Sequence, residues 1–342
     1  MKIGKLPENI YKRSVLKELR YQRKEIVSGA GIGIDCAILA SGEEDLATGM
    51  VFVTEKIDKI GMLAVHRAVN KIAASGAEPL AVMGTLLLTE ETSEEELKNI
   101  IRQMEETCEE LQVQPAGMEV SVIPKTIVSC TGRCILTMTG IGKMRKSRLL
   151  TNGRTEERTY QNFAVPGQDV VLTKWVGLEG TYLMAWEKEK ELGKRFSAEY
   201  IEEAKGFCRY LSIVPEAATA VKSNVGAMHL VSEGGVFGAL WEMAEHSGVG
   251  LEIEWKKIPI KQETVEICNY FDINPYALLS SGCLLMTADN GYDLVGNLHK
   301  KGVSAAVIGR TTDGNDRLII NEEEKRFLTP AQQDEYFKPA VR

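Results

Sequence analysis

The sequence predicts a two-domain α/β chain, on three observations. Its 342 residues exceed what one ordinary core organises. Apolar runs of strand length alternate with amphipathic helical stretches in both halves. A polar stretch over 145–166, ending in Pro166-Gly167, separates the halves. Apolar residues at 44% and charged residues at 26% match a globular chain and argue against extensive disorder.

The elements follow in order. Residues 8–27 read as a basic helix. Ser28 to Asp35 holds three glycines in five positions, too many for a helix or strand interior, and reads as a loop before the apolar run Cys36–Ala40. Met50–Thr54 is a compact strand. Ile60, Leu63, Ala64, Ala68, Ile72 and Ala73 mark a helix over 60–75 that stops at Gly76. Pro79 blocks further helix, and Ala81–Leu88 is a buried strand. Thr92-Ser93 followed by three glutamates opens the next helix, with acids placed at its positive end. Strands are expected near 118–123 and over 134–141. The second half opens with a strand at 169–173. Helices are expected at 179–191, 197–211, 235–247 and 291–301, and strands at 251–254, 283–288 and 303–308. These boundaries give domains over 1–150 and 151–320 and a charged surface tail over 321–342.

Charge and cysteine content exclude several classes. A net charge of −7 does not suit a binder of long nucleic acid, which needs a basic face. The short run Lys143, Arg145, Lys146 and Arg148 is a solvated connection or, on a sharper reading, a phosphate contact. No apolar stretch reaches the roughly 20 residues of a membrane span, and the first residues carry charges instead of an apolar signal core. Seven scattered cysteines fit reduced thiols, so a cytoplasmic location is expected. Cys130 and Cys134, without a second pair, read as packing residues on one strand face and not as a zinc site.

Four segments could carry chemistry. In Gly31-Ile32-Gly33-Ile34-Asp35 the glycines allow close backbone approach to an anion, and Asp35 could hold a cation beside it. The same residues suit a tight turn capped by the aspartate. Glu55 ends a strand, where carboxylates often face clefts. Asn70 to Pro79 carries small residues that let a helix pack closely, but packing does not account for Asn70 or Lys71. Ser232-Glu233-Gly234-Gly235 leads straight into a helix, whose start offers unpaired N–H groups and a positive dipole end to a phosphate. His229 beside it is a structural histidine or, less simply, a ligand or base. A dinucleotide fingerprint does not fit, because the third glycine of Gly29-x-Gly31-x-Gly33 comes one residue early.

Together these segments resemble the superfamily of aminoimidazole ribonucleotide synthetase, thiamine monophosphate kinase, selenophosphate synthetase and the hydrogenase-maturation carbamoyl dehydratase. The last is the nearest look. Gly4-Lys5-Leu6-Pro7 is similar to its opening, Gly33-x-Asp35-x-Ala37 to its glycine–aspartate loop, and Asn70–Pro79 to its Asn-Asp-Ile-Ala-Ala segment. Thr139–Gly142, Gly167–Thr173 and Ser232–Ala244 extend the resemblance over about residues 1–310. It implies a ferredoxin-like first domain that pairs with a second copy in a dimeric β-barrel, and an α/β second domain. It also implies ATP in a cleft with Mg²⁺ on first-domain carboxylates, and an amide, carbonyl or phosphate oxygen as the attacking group. Phosphoryl transfer of that kind depends on positioning and charge neutralisation.

The departures bear on the metal. Asp35 is retained, Glu55 stands for an aspartate, Lys71 and Leu230 replace two more, and Glu119 could stand in for a third. The implied metal set is thus Asp35, Glu55 and Glu119. The implied nucleotide set is Gly31, Gly33, Asp35, Asn70, Lys71, Ser232, Glu233, Gly234 and Gly235. Mg²⁺ demands near-octahedral oxygen ligands, so an incomplete set weakens it. Lys71 could replace the lost cationic charge or touch a phosphate, or it could be a surface lysine. The relatives' terminal cysteine is also missing: the chain ends Lys338-Pro339-Ala340-Val341-Arg342 and its last cysteine is Cys283. The expectation is an ATP-binding homodimer that activates an amide or carbonyl oxygen. The alternative is a catalytically degenerate nucleotide or metabolite sensor.

Overall fold

A computed structural model describes residues 3–128, 134–145, 147–151, 154–158, 162–330 and 333–338. Cys130 and Lys146 lie outside the described residues. The chain forms two compact units. The larger holds Met1–Lys24, Ala30–Ile34 and Tyr160–Arg342, and the smaller holds Glu25–Gly29 and Asp35–Thr159.

The helix expected over 8–27 shrinks to α1 (Glu8–Tyr11) and a single π turn, Lys12–Leu16. Neither buries a residue, and a short helix without a packed face has no tertiary support.

The smaller unit is one six-stranded sheet with helices on one face. Its strands are β1 (Ile26–Ser28), β2 (Ala37–Leu39), β3 (Glu44–Val53), β4 (Glu78–Thr89), β5 (Gln114–Ile123) and β6 (Cys134–Arg145), in the order β1-β2-β3-β6-β4-β5. Helix α2 (Ile60–Ala74) links β3 to β4, and α3 (Glu94–Leu111) links β4 to the parallel β5. Ser93 and Glu96 close a capping box at the start of α3, each accepting the other's backbone N–H. A Cβ on Gly140 of β6 would lie 2.7 Å from the Ala68 carbonyl oxygen, so glycine lets α2 press onto the sheet. A short helix α4 (Lys125–Val128) and a hairpin of β7 (Ser147–Thr151) and β8 (Arg154–Arg158) complete the unit. The hairpin lies in the polar stretch read as the crossing between the halves.

The burial pattern shows that one face of this sheet is uncovered. Ala47 and Val53 of β3 are fully buried, while Met50 and Phe52 are 75% and 60% exposed. Strand register places Phe52, Thr137, Thr85 and Glu119 in one row across β3, β6, β4 and β5. Met50, Thr139 and Met83 form the next row. The described residues form an open sheet and no closed barrel.

The larger unit is built on a mixed seven-stranded sheet. Its strands are β9 (Asp169–Thr173), β10 (Ala227–Val231), β11 (Gly250–Glu254), β12 (Cys283–Ala288), β13 (Ala305–Thr312), β14 (Arg317–Asn321) and β15 (Glu324–Phe327), in the order β10-β12-β9-β13-β11-β14-β15. β10 and β12 are buried throughout. Helices α5 (Leu178–Glu187), α6 (Glu189–Leu192), α7 (Ala198–Lys205), α8 (Val214–Lys222), α9 (Gly235–Ser247), α10 (Gln262–Phe271) and α11 (Gly291–His299) complete it. α8, α10, β10, β14 and β15 are additions to the elements read from sequence. Helix α9 has the predicted bounds. No described helix is long and apolar enough to cross a membrane.

Candidate functional site

The start of α9 is a tightly constrained turn of the larger unit. Gly234 and Gly235 both take positive φ, +87° and +61°, a backbone that L side chains resist. A Cβ on Gly235 would fall 2.5 Å from the Tyr276 carbonyl oxygen, so the turn is pressed against the loop between α10 and β12. Ser232 and Glu233 stay half-buried beside it. The Gly234 N–H, a donor left free by helix geometry, donates to Asp334 Oδ2 at 2.6 Å. Asp334 is only 3% exposed and Glu335 7% exposed. Both lie in the stretch expected to be a surface tail, so this part of it packs into the unit.

Further along α9, charged residues of the N-terminal segment run down one side. Lys5 pairs with Glu242 at 2.5 Å, the Trp241 indole N–H donates to Glu8 at 2.7 Å, and Lys12 pairs with Glu245 at 2.6 Å. His229 of β10 meets Glu242 through Nε2 at 3.1 Å and is buried. Burial opposes charge on Glu242, but the His229 hydrogen bond and the Lys5 ammonium outweigh it and hold the carboxyl down at about 2. This contribution to stability is present above the ordinary glutamate range and is lost as pH falls through about 2. His229 thus has a carboxylate partner, as a structural histidine does.

Gly33 is seated on the same helix. Its φ is +70°, and a Cβ there would lie 2.6 Å from the Glu242 carbonyl oxygen and 2.9 Å from His246 Cβ. The two glycine turns therefore share one scaffold, α9. Seven residues separate Glu242 from Gly235, about 10 Å of helix axis. Gly33→Ala should cost about 1–2 kcal/mol for the left-handed backbone alone, before the carbonyl clash, read as a lower urea midpoint at unchanged m. A midpoint equal to wild type would show that this contact is dispensable.

Asp35 begins the second segment of the smaller unit. Its carbonyl oxygen and Lys71 Cβ both lie 3.3 Å from where a Gly49 Cβ would stand, and the Cys36 thiol donates to the Lys71 carbonyl at 3.1 Å. Asp35 and Lys71 are thus neighbours through backbone. Asn70 is buried on the preceding position. Glu55 is engaged elsewhere: Oε1 meets the Arg67 guanidinium at 2.5 Å, and Oε2 accepts the Thr54 N–H at 2.8 Å. Glu119 is exposed in the row of Phe52, three strands from β3, which is about 14 Å.

Asp35, Glu55 and Glu119 are not gathered together, and no cluster of three or more His, Cys, Asp or Glu among the described residues could hold a metal. Arg67 supplies a positive charge to the carboxylate expected to face the cation. Leu230 is buried, with Leu284 as its cross-strand partner. The residues present do not fit a family Mg²⁺ site. Reading the sequence missed Arg67, although it lies on the same helix as Asn70 and Lys71. A cavity of about 310 Å³ in the smaller unit is lined by Glu55, Lys56, Asp58, Thr92, Glu96 and Asn99 with an apolar floor of Ile57, Ile60 and Leu88. That volume is at the small end of ligand sites.

An open sheet backed by α2 and α3, followed by a mixed sheet whose helix starts at a double-glycine turn, defines a class of two-part α/β proteins. The chain belongs to the AIR synthase related family: the N-terminal domain model matches residues 33–144 and the C-terminal domain model residues 165–321. It is 25% identical to a putative hydrogenase expression/formation protein of Methanocaldococcus jannaschii, over 93% of this chain and 91% of that one. The structure is similar to that of HypE in a HypE–HypF complex, with a TM-score of 0.72, 20% identity and coverage of 94% and 99%. It is also similar to the hydrogenase maturation protein HypE in complex with ATP, with a TM-score of 0.68, 17% identity and coverage of 97% and 94%.

Proposed function

We propose that this chain is an ATP-binding homodimer that holds the nucleotide phosphates with its glycine turns and Lys71 rather than with a complete Mg²⁺ site. The observation that carries the reading is the Glu55–Arg67 pair, which puts a fixed side-chain cation where the family pattern expects a metal ligand to be free. Gly31, Gly33, Asp35, Asn70, Lys71 and Ser232–Gly235 are the proposed nucleotide contacts. The HypE neighbour in complex with ATP supports nucleotide as the ligand. In an active enzyme the same groups would position the γ-phosphoryl group against an amide or carbonyl oxygen. The engaged Glu55 and the buried Leu230 favour a second reading, nucleotide binding without turnover.

Calorimetric titration with ATP, in Mg²⁺ and in chelator, tests this. Binding in chelator should stay within about tenfold of that in Mg²⁺, a difference of about 1.4 kcal/mol. Complete loss of binding in chelator would sink the metal-free reading, and no binding in either buffer would sink the nucleotide itself. Phosphate release with a candidate amide separates enzyme from sensor.

The homodimer rests on the uncovered sheet face. Met50, Phe52 and Met83 are 75%, 60% and 46% exposed on this face of β3 and β4. A contiguous apolar face of this kind marks an interaction surface. A second copy laid against it by twofold symmetry would cover both faces at once. Glu119, in the same row as Phe52, would then lie at the junction between copies.

A further inference from the structure

Asp334 is a buried carboxylate held by backbone donors. It accepts N–H groups from Gly234 at 2.6 Å, Leu279 at 3.2 Å and Tyr336 at 2.8 Å. These donors lie on three separate pieces of chain: the start of α9, the loop before β12, and the C-terminal turn itself. Glu335 ties the same turn to the α10–β12 loop by accepting the Asn274 N–H at 3.2 Å. Phe337 packs where a Gly4 side chain would begin, 3.0 Å from the ideal Cβ. The segment Asp334–Lys338 is thus fastened to the start of α9, to the α10–β12 loop and to Gly4 of the N-terminal segment.

The charged surroundings are mostly of one sign. Glu233 faces Asp334 from the α9 turn. Cys268 faces it from α10, with its thiol pushed up to about 12 by burial and then by Glu335 and Asp334. Asp272 caps α10, and Tyr276 lies in the loop. On the segment itself Lys338 is bound to Glu335 at 2.5 Å, and Lys5 of the N-terminal segment is bound to Glu242. Among the described residues no cation pairs with Asp334.

We propose that Asp334–Lys338 is a proton-sensitive strap over the start of α9, seated most firmly when Asp334 is protonated and loosened as its carboxylate ionises. Burial raises the Asp334 carboxyl to about 7, the three backbone N–H groups oppose the rise, and Glu233 adds to it. A released strap returns the group to the ordinary aspartate value of 3.8. Seating is therefore fully supported below that value, weakens as pH rises towards 7, and is constant above it. The strap decides how firmly the Ser232–Gly235 turn is held.

Amide hydrogen exchange of Gly234 and Leu279, corrected for intrinsic rates, reads the opening of the strap. Opening should grow by up to about tenfold per pH unit between about 4 and 7 and level off above. Asp334→Asn, which keeps an acceptor without a charge, should abolish the pH dependence, and Glu233→Gln should shrink it. Amides of Val171 and Leu285 in the central strands report global opening. The proposal is overturned if Gly234 and Leu279 show no pH dependence, if D334N keeps the wild-type slope, or if the central strands open in parallel.

Discussion

Phe52→Glu is expected to convert the protein from dimer to monomer without unfolding it. Phe52 sits in β3 with 60% of its surface exposed, so in the isolated chain a glutamate at this position stands in water and disturbs no core. Its β3 neighbours Ala47 and Val53, which point to the opposite face, stay buried. In a face-to-face dimer the same carboxylate is buried without a partner, at a cost of several kcal/mol, and twofold symmetry places it in both copies. The dissociation constant should therefore rise about a thousandfold or more. Light scattering on eluted protein at micromolar concentration reads the change, with circular dichroism as the control for the fold. Met50→Glu, in the neighbouring row, should act in the same direction. A wild-type protein that elutes as a monomer at all concentrations would remove the dimer, and an F52E protein that remains a dimer would move the interface to another surface.

Helix α9 and strand β12 were legible to the residue because their limits are set locally. Gly234-Gly235 and Gly248, all with positive φ, bracket α9, and β12 is a continuous apolar run. Only Met50–Thr54 reads as a strand in the sequence, whereas β3 runs over Glu44–Val53 with burial that switches at nearly every residue. Residues 8–27 misled because helical composition says nothing about a face to bury, and this segment buries none. Asp334 was unreadable for the opposite reason. An acid in a charged, proline-containing stretch reads as solvated, and its burial depends on Gly234 and Leu279, which are 100 and 55 residues away. Glu55 was correctly placed at a strand end, but the state of a carboxylate depends on its partner. That partner, Arg67, became identifiable only when α2 was folded back along β3.

The second large effect is expected at Lys174, a residue to which the motif pattern assigned no role. It follows β9 with a positive φ of +55°, unusual for a non-glycine residue. Its ammonium donates to the carbonyls of Ser212 at 2.6 Å and Gly282 at 2.9 Å and pairs with Glu216 of α8, which is 1% exposed. One cation thus joins the end of β9 to the segment before α8 and to the turn before β12. Lys174→Met removes it and leaves Glu216 charged in the core. Removal of one partner of a buried pair costs about 3–5 kcal/mol, a large share of the stability of most domains. The double variant Lys174→Met with Glu216→Leu leaves no orphan charge and should recover at least half of the loss, short of full recovery because the two carbonyls lose their donor. Urea unfolding of the wild type, the single variant and the double variant gives the comparison directly. A K174M protein within 1 kcal/mol of wild type, or a double variant no more stable than the single, would show that the ion pair is incidental and that apolar packing alone holds this corner of the sheet.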